Sequence, residues 1–448
     1  MKDLTRREFM QAGAGAAVGT MVANHATLLH GEQPGSQGTD SSASPAVRFG
    51  IIGVGMQGSS LLKTAVSLPG TQCVAACDLY DGRQTLAKQI AGDGIRTTRR
   101  YGELLEDKNI ECLIVAVPDH WHKQLMIDAV NHGKDVYCEK PMSHSIPDGL
   151  AMVEAVQRSG RIVQIGSQRV SFPVYGKARE LLRGGAIGKL MQVELSIGRN
   201  SPTGAWEYPP PPDLSPENLD WTTWLGDAPK KPFDPLTFAR WRCWHQYGTG
   251  VAGDLMVHLV SGMMFITDMN QAPDQATSIG GIYKWKDGRN MPDLQLVLLE
   301  YGTVPVSVRL TLDTDTPETT RILGSNGILE IKDDVLTFTP QRGIDTAPSY
   351  YANSFPAALR DQYDRQWHAE HDAALAQTPI AATTIYRSTT GNGLQGHLTN
   401  FFQAVRTRKP VVEDVVFGHH AAAACHMANL AYFHRRSISY QDASKETL

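Results

Sequence analysis

The sequence has no block of like charges, no long apolar run and no paired-cysteine motif. Its formal net charge is only −4, which argues against nucleic acid or an anionic membrane as the main partner. No apolar run reaches the roughly 18 residues that a membrane span needs, so we expect no transmembrane segment. The six cysteines show no Cys-x-x-Cys spacing and no zinc pattern, so we expect no metal site and mostly buried free thiols.

The chain is long enough and apolar enough to bury a sizeable core. It has 448 residues, of which 42% are hydrophobic and 20% are charged, and this balance is typical of a globular protein. A chain of this length exceeds one ordinary domain, so we expect two domains.

The N-terminus has the pattern of an export signal. Arg6 and Arg7 are followed by Phe9, two positions after the second arginine, and a mild apolar stretch covers 12–23. We predict a twin-arginine signal peptide over 1–30, and therefore a periplasmic or otherwise exported protein, with a flexible linker over 31–46. The alternative is an ordinary basic amphipathic N-terminus.

A glycine fingerprint follows the first predicted strand, Val47–Ile52. Residues 53–58 read Gly-Val-Gly-Met-Gln-Gly. In such a segment the first glycine allows a tight turn, the second lets a pyrophosphate approach, and the third lets helix and strand pack closely. The helix that begins there offers free N–H groups to the phosphates. The pattern predicts a dinucleotide site of the Rossmann type.

The nature of the dinucleotide is indicated by Asp78, which ends the second predicted strand. Its carboxylate can accept hydrogen bonds from the adenosine ribose and would repel a 2′-phosphate, so we predict NAD as the cofactor. Arg83 lies close to it in sequence and leaves NADP open as the alternative.

Two further loops follow predicted strands of the same sheet. Residues 118–122 read Pro-Asp-His-Trp-His, and residues 139–141 read Glu-Lys-Pro. Such loops line the ligand crevice, so they could touch the nicotinamide ribose, although Asp119 could simply cap the next helix. Lys140 could donate to a substrate hydroxyl or keto oxygen, or be an ordinary surface lysine. The predicted cofactor-binding residues are Gly53, Gly55, Met56, Gln57, Gly58, Asp78, Pro118, Asp119, His122, Glu139 and Lys140.

The strand and helix patterns change near residue 170. Alternating strands and helices over 47–170 predict a doubly wound parallel sheet, the Rossmann domain. Residues 171–448 contain consecutive strand-like runs between 275 and 339, and predict an α+β domain with a mostly antiparallel open sheet. Residues 201–235 predict a proline-rich surface excursion, and 340–392 are polar and irregular. The predicted fold class is therefore α/β, with the Rossmann domain first.

The fingerprint, the Glu-Lys-Pro segment and the strand-rich second half together resemble the glucose–fructose oxidoreductase/inositol dehydrogenase/MocA (Gfo/Idh/MocA) superfamily. Asp254 and His258 lie four residues apart on one predicted helix face, as in that family's second signature. The resemblance implies that Lys140, Asp254 and His258 are catalytic. His258 would be the acid/base, Lys140 would bind the reacting oxygen, and Asp254 would orient the substrate or His258. Ser261 stands where the family usually has an acidic residue. Without the resemblance, the Asp254–His258 pair could merely stabilise a helix.

Aromatic residues are concentrated in the second half of the chain. Five of the eight tryptophans lie between Trp206 and Trp244, with Arg240 and Arg242 interleaved. Aromatic faces stack on sugar rings, so the region could hold a polyol or glycoside; the alternative is an insertion fixed by its own aromatics. The substrate candidates are Trp241, Tyr247 and, on the family resemblance alone, Arg169 and Tyr175.

These features predict an NAD-dependent oxidoreductase that transfers hydride between a sugar, polyol or glycoside and nicotinamide. An alternative keeps NAD tightly bound in a redox-neutral glycoside hydrolase, lyase or sugar-to-sugar hydride shuttle, because free NAD is scarce outside the cytoplasm. A third hypothesis is a sugar-binding or scaffold protein with a structural nucleotide, against which the intact glycines, Lys140 and His258 argue. The resemblance also implies a homo-oligomer, either a dimer or a tetramer.

Overall fold

The computed structural model describes residues 27–29, 45–341, 343–377, 382–388 and 393–448. The predicted export signal and linker lie outside the described residues, apart from 27–29 and 45–46. The strands are β1 (Thr27–Leu29), β2 (Val47–Ile52), β3 (Thr71–Cys77), β4 (Arg96–Thr98), β5 (Cys112–Val115), β6 (Asp135–Cys138), β7 (Val163–Ile165), β8 (Leu190–Gly198), β9 (Gln275–Gly281), β10 (Leu294–Tyr301), β11 (Val304–Thr311), β12 (Thr316–Gly324), β13 (Gly327–Lys332), β14 (Val335–Pro340), β15 (Thr384–Arg387) and β16 (Ile438–Ser439). The helices are α1 (Met56–Ser67), α2 (Asp81–Ala91), α3 (Gly102–Glu106), α4 (His122–Asn131), α5 (Ile146–Ser159), α6 (Pro173–Arg183), α7 (Trp221–Leu225), α8 (Pro235–Ala239), α9 (Val257–Thr267), α10 (Ala357–Gln377), α11 (Gly393–Thr407), α12 (Val415–His434) and α13 (Tyr440–Ala443).

The first sheet has six parallel strands in the order β4-β3-β2-β5-β6-β7. Every residue of β5 and of β6 is buried, as expected of strands that helices cover on both faces. The strand order reverses between β2 and β5, and ligands of doubly wound sheets bind at this switch point. The predicted Rossmann sheet is confirmed.

The second sheet is mixed and mostly antiparallel. Within the described residues its order is β1-β15-β14-β13-β12-β8-β11-β10-β9-β16, and the parallel neighbours are β8 with β11 and β1 with β15. Strands β12 and β13 form the hairpin predicted from Asn326-Gly327. Along β10 buried and exposed residues alternate, so one face packs on helices while the other is open. The predicted second sheet is confirmed.

Two C-terminal helices join the sheets. Helix α12 packs against both β9 of the second sheet and α5 of the first domain. Helix α11 returns to the Rossmann core, where Phe402 lies 5.4 Å from Phe49 between ring centroids. This packing differs from the sequence-based assignment of every residue after 170 to the second domain.

Helix α10 was not predicted, because residues 340–392 read as polar and irregular. The helix spans 21 residues, yet Trp367 is its one buried residue among those that the structure describes. A helix with no apolar stripe carries no periodic signal in the sequence, so its pattern is that of a loop.

The cysteines and helices agree with the compositional expectations. All six cysteines are buried and free, which confirms the prediction of buried thiols. Among the helices that the structure describes, none combines the length and the apolar character needed to cross a bilayer.

Candidate active site

The fingerprint, the strand-end loops and the start of helix α9 meet in one large cleft. The cleft lies at the carboxyl ends of the parallel strands, faces the second domain and is open to solvent, with a volume of about 370 Å³. It receives side chains from both domains and from distant parts of the chain. The predicted site residues in its lining are Gly55, Met56, Gln57, Pro118, Asp119, Glu139, Lys140, Trp241, Asp254 and His258.

The backbone geometry explains the glycines of the fingerprint. Gly53 has φ +88°, and a Cβ there would stand 2.3 Å from the carbonyl oxygen of Ala116. A Cβ on Gly58 would stand 2.1 Å from the carbonyl oxygen of Gly53. A Cβ on Gly55 would stand 3.4 Å from the guanidinium of Arg83, and no backbone atom is among its nearest neighbours. The loop therefore fits a pyrophosphate, which needs close approach to backbone N–H groups.

Asp78 lines a second, open cavity beside the cleft. Its carboxylate accepts the N–H of Val54 at 2.8 Å and the N–H of Tyr80 at 3.0 Å. A carboxylate has further lone pairs, which leaves capacity for ribose hydroxyls. Arg83 stands 4.0 Å from Asp78 and 4.6 Å from the ring centroid of Phe238. Because Gly53 also lines this cavity, its position suits an adenosine whose phosphates reach the glycine loop.

Lys140 and Asp254 form a largely buried ion pair on the cleft wall. Lys140 Nζ donates to Asp254 Oδ1 at 3.0 Å and to the Asp254 carbonyl oxygen at 2.9 Å. Arg242 Nε donates to the same Oδ1 at 3.1 Å. Burial would raise the pKa of Asp254, but the charges of Lys140 and Arg242 hold it well below its ordinary value. Asp254 is therefore an anion that fixes two cations. The Lys140–Pro141 peptide bond is cis.

His258 follows a π-helical turn, Ala252–Met256, that continues directly into α9. Such turns are frequent at functional sites. Burial lowers the pKa of His258 well below 6.5, and the charges of Lys140 and Arg169 act in the same direction. Its Nδ1 has no hydrogen-bond partner among the described residues. His258 is therefore a neutral imidazole on the cleft lining.

Two more carboxylates of the cleft are held by neutral donors. Glu139 Oε1 accepts the side-chain amides of Gln57 and Gln168, each at 3.0 Å. Asp119 Oδ2 accepts the N–H and the hydroxyl of Thr249, at 3.1 and 2.7 Å. Burial raises the pKa of both, that of Asp119 to about 6. Asp119 therefore connects the two domains through Thr249. It does not cap the next helix, because the N-terminus of α4 has no side-chain cap.

His122 lies outside the cleft lining. Its ring is fully buried, with Nδ1 2.8 Å from the carbonyl oxygen of Pro141 and Nε2 3.0 Å from that of Val117. Burial lowers its pKa to about 4. The prediction that His122 touches the cofactor is corrected, because its ring fixes the two strand-end loops instead.

Three of the four substrate candidates also lie outside the lining. Arg169 makes a bidentate ion pair with Glu318, at 2.7 and 2.6 Å. Tyr175 and Tyr247 are buried in hydrophobic clusters. These side chains are occupied by packing or pairing, so Trp241 is the candidate that the structure brings to the cleft.

The cleft also contains residues that the sequence reasoning did not assign. Gln168, Arg199 and Tyr208 line it, together with Arg242. Gln168 comes shortly after β7 of the Rossmann sheet, so the rule used for residues 118–122 and 139–141 could have found it. Arg199 directly follows β8 of the second sheet, where that rule does not apply. Tyr208 and Arg242 belong to the aromatic and basic region around Trp206 to Trp244 that was expected to hold a polyol or glycoside, although neither was named as a site residue.

The proline-rich region forms a cover over the cofactor side. We call residues 201–247 the cover segment. Its backbone and side chains bind the first domain at several points: Tyr80 donates to the carboxylate of Asp213, and His120 and Trp121 contact the Trp224 carbonyl oxygen at 3.0 Å. Trp224 lines both the cleft and the adenosine-side cavity. The predicted surface excursion is thus packed over the nucleotide-binding loops, with most of its aromatics buried against one another.

The fold and the site together define a class of protein. It is a two-domain α/β protein with a dinucleotide cleft at the domain junction, where a lysine, an aspartate and a histidine meet. The described residues contain no cluster of histidine, cysteine and acidic side chains suited to a metal ion.

A known protein family and several curated proteins match the first domain. Residues 47–167 match the family described as "Oxidoreductase family, NAD-binding Rossmann fold" (GFO_IDH_MocA). An inositol 2-dehydrogenase from Salmonella paratyphi B is 32% identical over 149 residues, 33% of this chain and 44% of that relative. A 2,7-anhydro-N-acetylneuraminate hydratase from Mediterraneibacter gnavus is 32% identical over 164 residues, 36% of this chain and 43% of the relative. The chain thus matches less than half the length of these curated relatives. The matches support the predicted NAD-binding oxidoreductase domain.

A solved structure extends the similarity to both domains. A levoglucosan dehydrogenase in complex with NADH and levoglucosan has a TM-score of 0.63 and 17% identity, and the match covers 88% of this chain and 99% of that chain. At this identity the likeness concerns the fold. It confirms the predicted two-domain architecture.

Proposed function

We propose that this protein is an NAD-dependent oxidoreductase acting on a sugar, polyol or glycoside. The observation that carries the proposal is the meeting of Lys140, Asp254 and His258 in the cleft that the glycine fingerprint also lines. Two relatives support the substrate class, because one is named an inositol dehydrogenase and the solved structure a levoglucosan dehydrogenase. The test is the appearance of reduced nicotinamide when the NAD-loaded protein meets sugars and polyols.

The cofactor would be held by the first domain. The N-terminus of α1 and Arg83 suit the pyrophosphate, and Asp78 suits the adenosine ribose. When bound, the nicotinamide supplies the acceptor for a hydride from carbon.

Residues of this chain accept the proton of the substrate hydroxyl. In oxidation the carbon loses a hydride and its hydroxyl oxygen loses a proton, leaving a carbonyl. His258, which is neutral, takes that proton, and Lys140 donates a hydrogen bond to the same oxygen as its charge grows. Asp254 positions Lys140 through the 3.0 Å contact. In reduction the same residues act in reverse.

The pH dependence of kcat/KM is expected to show the lowered pKa of His258. Its folded pKa lies below 6.5, so the imidazole stays a competent base until the pH falls below that value. The acid limb should therefore have its midpoint below pH 6.5. Burial raises the pKa of Asp119 to about 6, so an Asp119→Asn variant distinguishes the titration of His258 from that of Asp119. A midpoint at 6.5 or above, or loss of the limb in Asp119→Asn, contradicts the role of His258.

A second candidate function is a redox-neutral reaction with tightly bound NAD, such as a glycoside hydrolase, lyase or hydride shuttle. The cover segment favours it, because Trp224 lines the adenosine-side cavity and the Tyr80–Asp213 hydrogen bond holds the segment on the first domain. A hydratase among the relatives adds support. In this cycle the hydride returns to the sugar product, and no free NAD is consumed.

Replacing Trp224 by Ala is expected to speed NAD release at least tenfold, because the variant opens the wall shared by both cavities. The wild-type protein should keep NAD through gel filtration and turn over without added NAD, whereas Trp224→Ala should need added NAD. Trp367→Ala, on helix α10, is the matched control and should release NAD at the wild-type rate. A wild-type protein that loses NAD on gel filtration and depends on added NAD speaks for simple dehydrogenation.

Export and assembly are further proposals. Arg6, Arg7 and Phe9 support a twin-arginine route to the periplasm, which carries folded proteins and would favour a retained cofactor. Assembly into a dimer or tetramer is supported by the open face of the second sheet. There Ile279, Leu296 and Leu298 are exposed on neighbouring strands β9 and β10.

A further inference from the structure

The second domain contributes two arginines and one carboxylate to the cleft lining, those of Arg199, Arg242 and Asp254. Arg242 and Lys140 of the first domain donate to Asp254, whereas Arg199 makes no hydrogen bond or ion pair with that carboxylate. The other two carboxylates of the lining, those of Asp119 and Glu139, are bound by neutral donors of Thr249, Gln57 and Gln168. A partly buried cation without a paired carboxylate is costly unless a ligand supplies the counter-charge.

Among the described residues, Arg199 is the cation of the cleft lining that no carboxylate pairs. It directly follows β8 and is partly buried in the cleft lining. Among the residues that the structure describes, its guanidinium has neither a hydrogen-bond nor an ion-pair partner, whereas Arg242 contacts Asp254 and Arg169 contacts Glu318. Five N–H donors in a fixed fork are therefore open to a ligand.

Arg199 belongs to the substrate end of the cleft. It shares the lining with Tyr208, Asp254 and His258, and, after burial and the charge of Lys140, its own charge contributes to the low pKa of His258. The guanidinium of Arg83 lies beside Gly55 of the fingerprint and can supply the positive charge for the cofactor phosphates. The counter-charge that Arg199 lacks therefore belongs to the molecule that His258 and Lys140 act on.

We infer that the substrate is a sugar acid whose carboxylate pairs with Arg199 while its reacting hydroxyl meets Lys140 and His258. The inference rests on the proposed function and narrows its substrate class. A planar carboxylate matches the guanidinium fork in a bidentate manner, and a neutral sugar leaves Arg199 unpaired. Neutral hexoses and polyols are then poor ligands of this cleft.

Binding tests the inference without turnover. A protein loaded with NADH cannot oxidise a sugar further, so calorimetry can compare D-glucuronate, D-glucose and glucose 6-phosphate as probes. We expect glucuronate to bind at least tenfold more tightly than glucose. Arg199→Gln should remove this preference, and Arg158→Gln, an exposed arginine on α5, should keep it.

The possible outcomes separate the inference from the proposed function. Equal binding of glucose and glucuronate, binding of none of the probes, a preference for the phosphate, or a preference that survives in Arg199→Gln overturns the inference. In turnover of the acid, Arg199→Gln should raise KM at least tenfold and leave kcat within about threefold, because Arg199 holds a remote group. Glucuronate that binds as expected in a protein that never forms reduced nicotinamide overturns the proposed function and leaves the anion site standing.

Discussion

Replacing Lys140 by Met is expected to lower kcat about a thousandfold while NAD stays bound. The variant removes the donor that stabilises the charge on the reacting oxygen, and a positioned acid or base contributes about 10² to 10⁴ in rate. Asp254 keeps its contact with Arg242 at 3.1 Å, so the buried carboxylate does not lose its last partner. The fold and the nucleotide loop should therefore survive. Steady-state kinetics together with the NAD content after gel filtration check both halves of the expectation.

The matched control for this prediction is Lys123→Met. Lys123 is exposed on α4 and pairs with Asp148, outside the cleft, so its removal should change kcat less than about twofold. Turnover by Lys140→Met at a rate comparable to the wild type would remove Lys140 from the chemistry.

Replacing Gly58 by Ala is expected to weaken NAD binding about a hundredfold. The new Cβ would stand 2.1 Å from the carbonyl oxygen of Gly53, and because that atom is backbone, helix α1 must move away from β2. Overpacking of this kind costs about 1–3 kcal/mol, and the displaced helix N-terminus no longer meets the phosphates. Calorimetry with NAD and the thermal midpoint of unfolding together separate lost binding from lost folding.

Gly176→Ala is the control for Gly58→Ala. Gly176 is exposed within helix α6 with nothing within 4 Å of a new Cβ, so the change should keep NAD affinity and slightly stabilise the helix. Wild-type NAD affinity in a folded Gly58→Ala protein would show that the fingerprint does not hold the nucleotide.

The nucleotide-binding half of the site could be predicted from the sequence because its signals are local. Gly53 and Asp78 follow strands and Gly58 lies in the first turn of α1, all within one βαβ unit. Backbone sterics leave glycine as the residue that fits at positions 53 and 58. Lys140, Asp254 and His258 needed the family resemblance. The 3.0 Å contact between Lys140 and Asp254 joins residues of two domains, and no spacing in the sequence encodes it.

The remaining differences arise from tertiary packing. His122 looked like a polar loop residue, but two carbonyl oxygens from separate loops enclose its ring. Arg169 was a substrate candidate, but the fold places the carboxylate of Glu318 against its guanidinium. Arg199 is the opposite case. The sequence did not single it out, yet the fold places its guanidinium in the cleft without an ion-pair partner among the described residues. The partners of a polar side chain, and so its availability to a ligand, are set by the fold.

The most direct test of the account is a single-turnover spectrum of the NAD-loaded protein mixed with D-glucuronate, related sugar acids and neutral sugars. The account predicts that the absorbance of reduced nicotinamide rises in the wild-type protein with at least one sugar and stays flat in Lys140→Met, which carries the same NAD. Under the redox-neutral cycle the signal rises and then decays as hydride returns. A wild-type protein that holds NAD and binds a sugar, yet never shows reduced nicotinamide, would contradict the account.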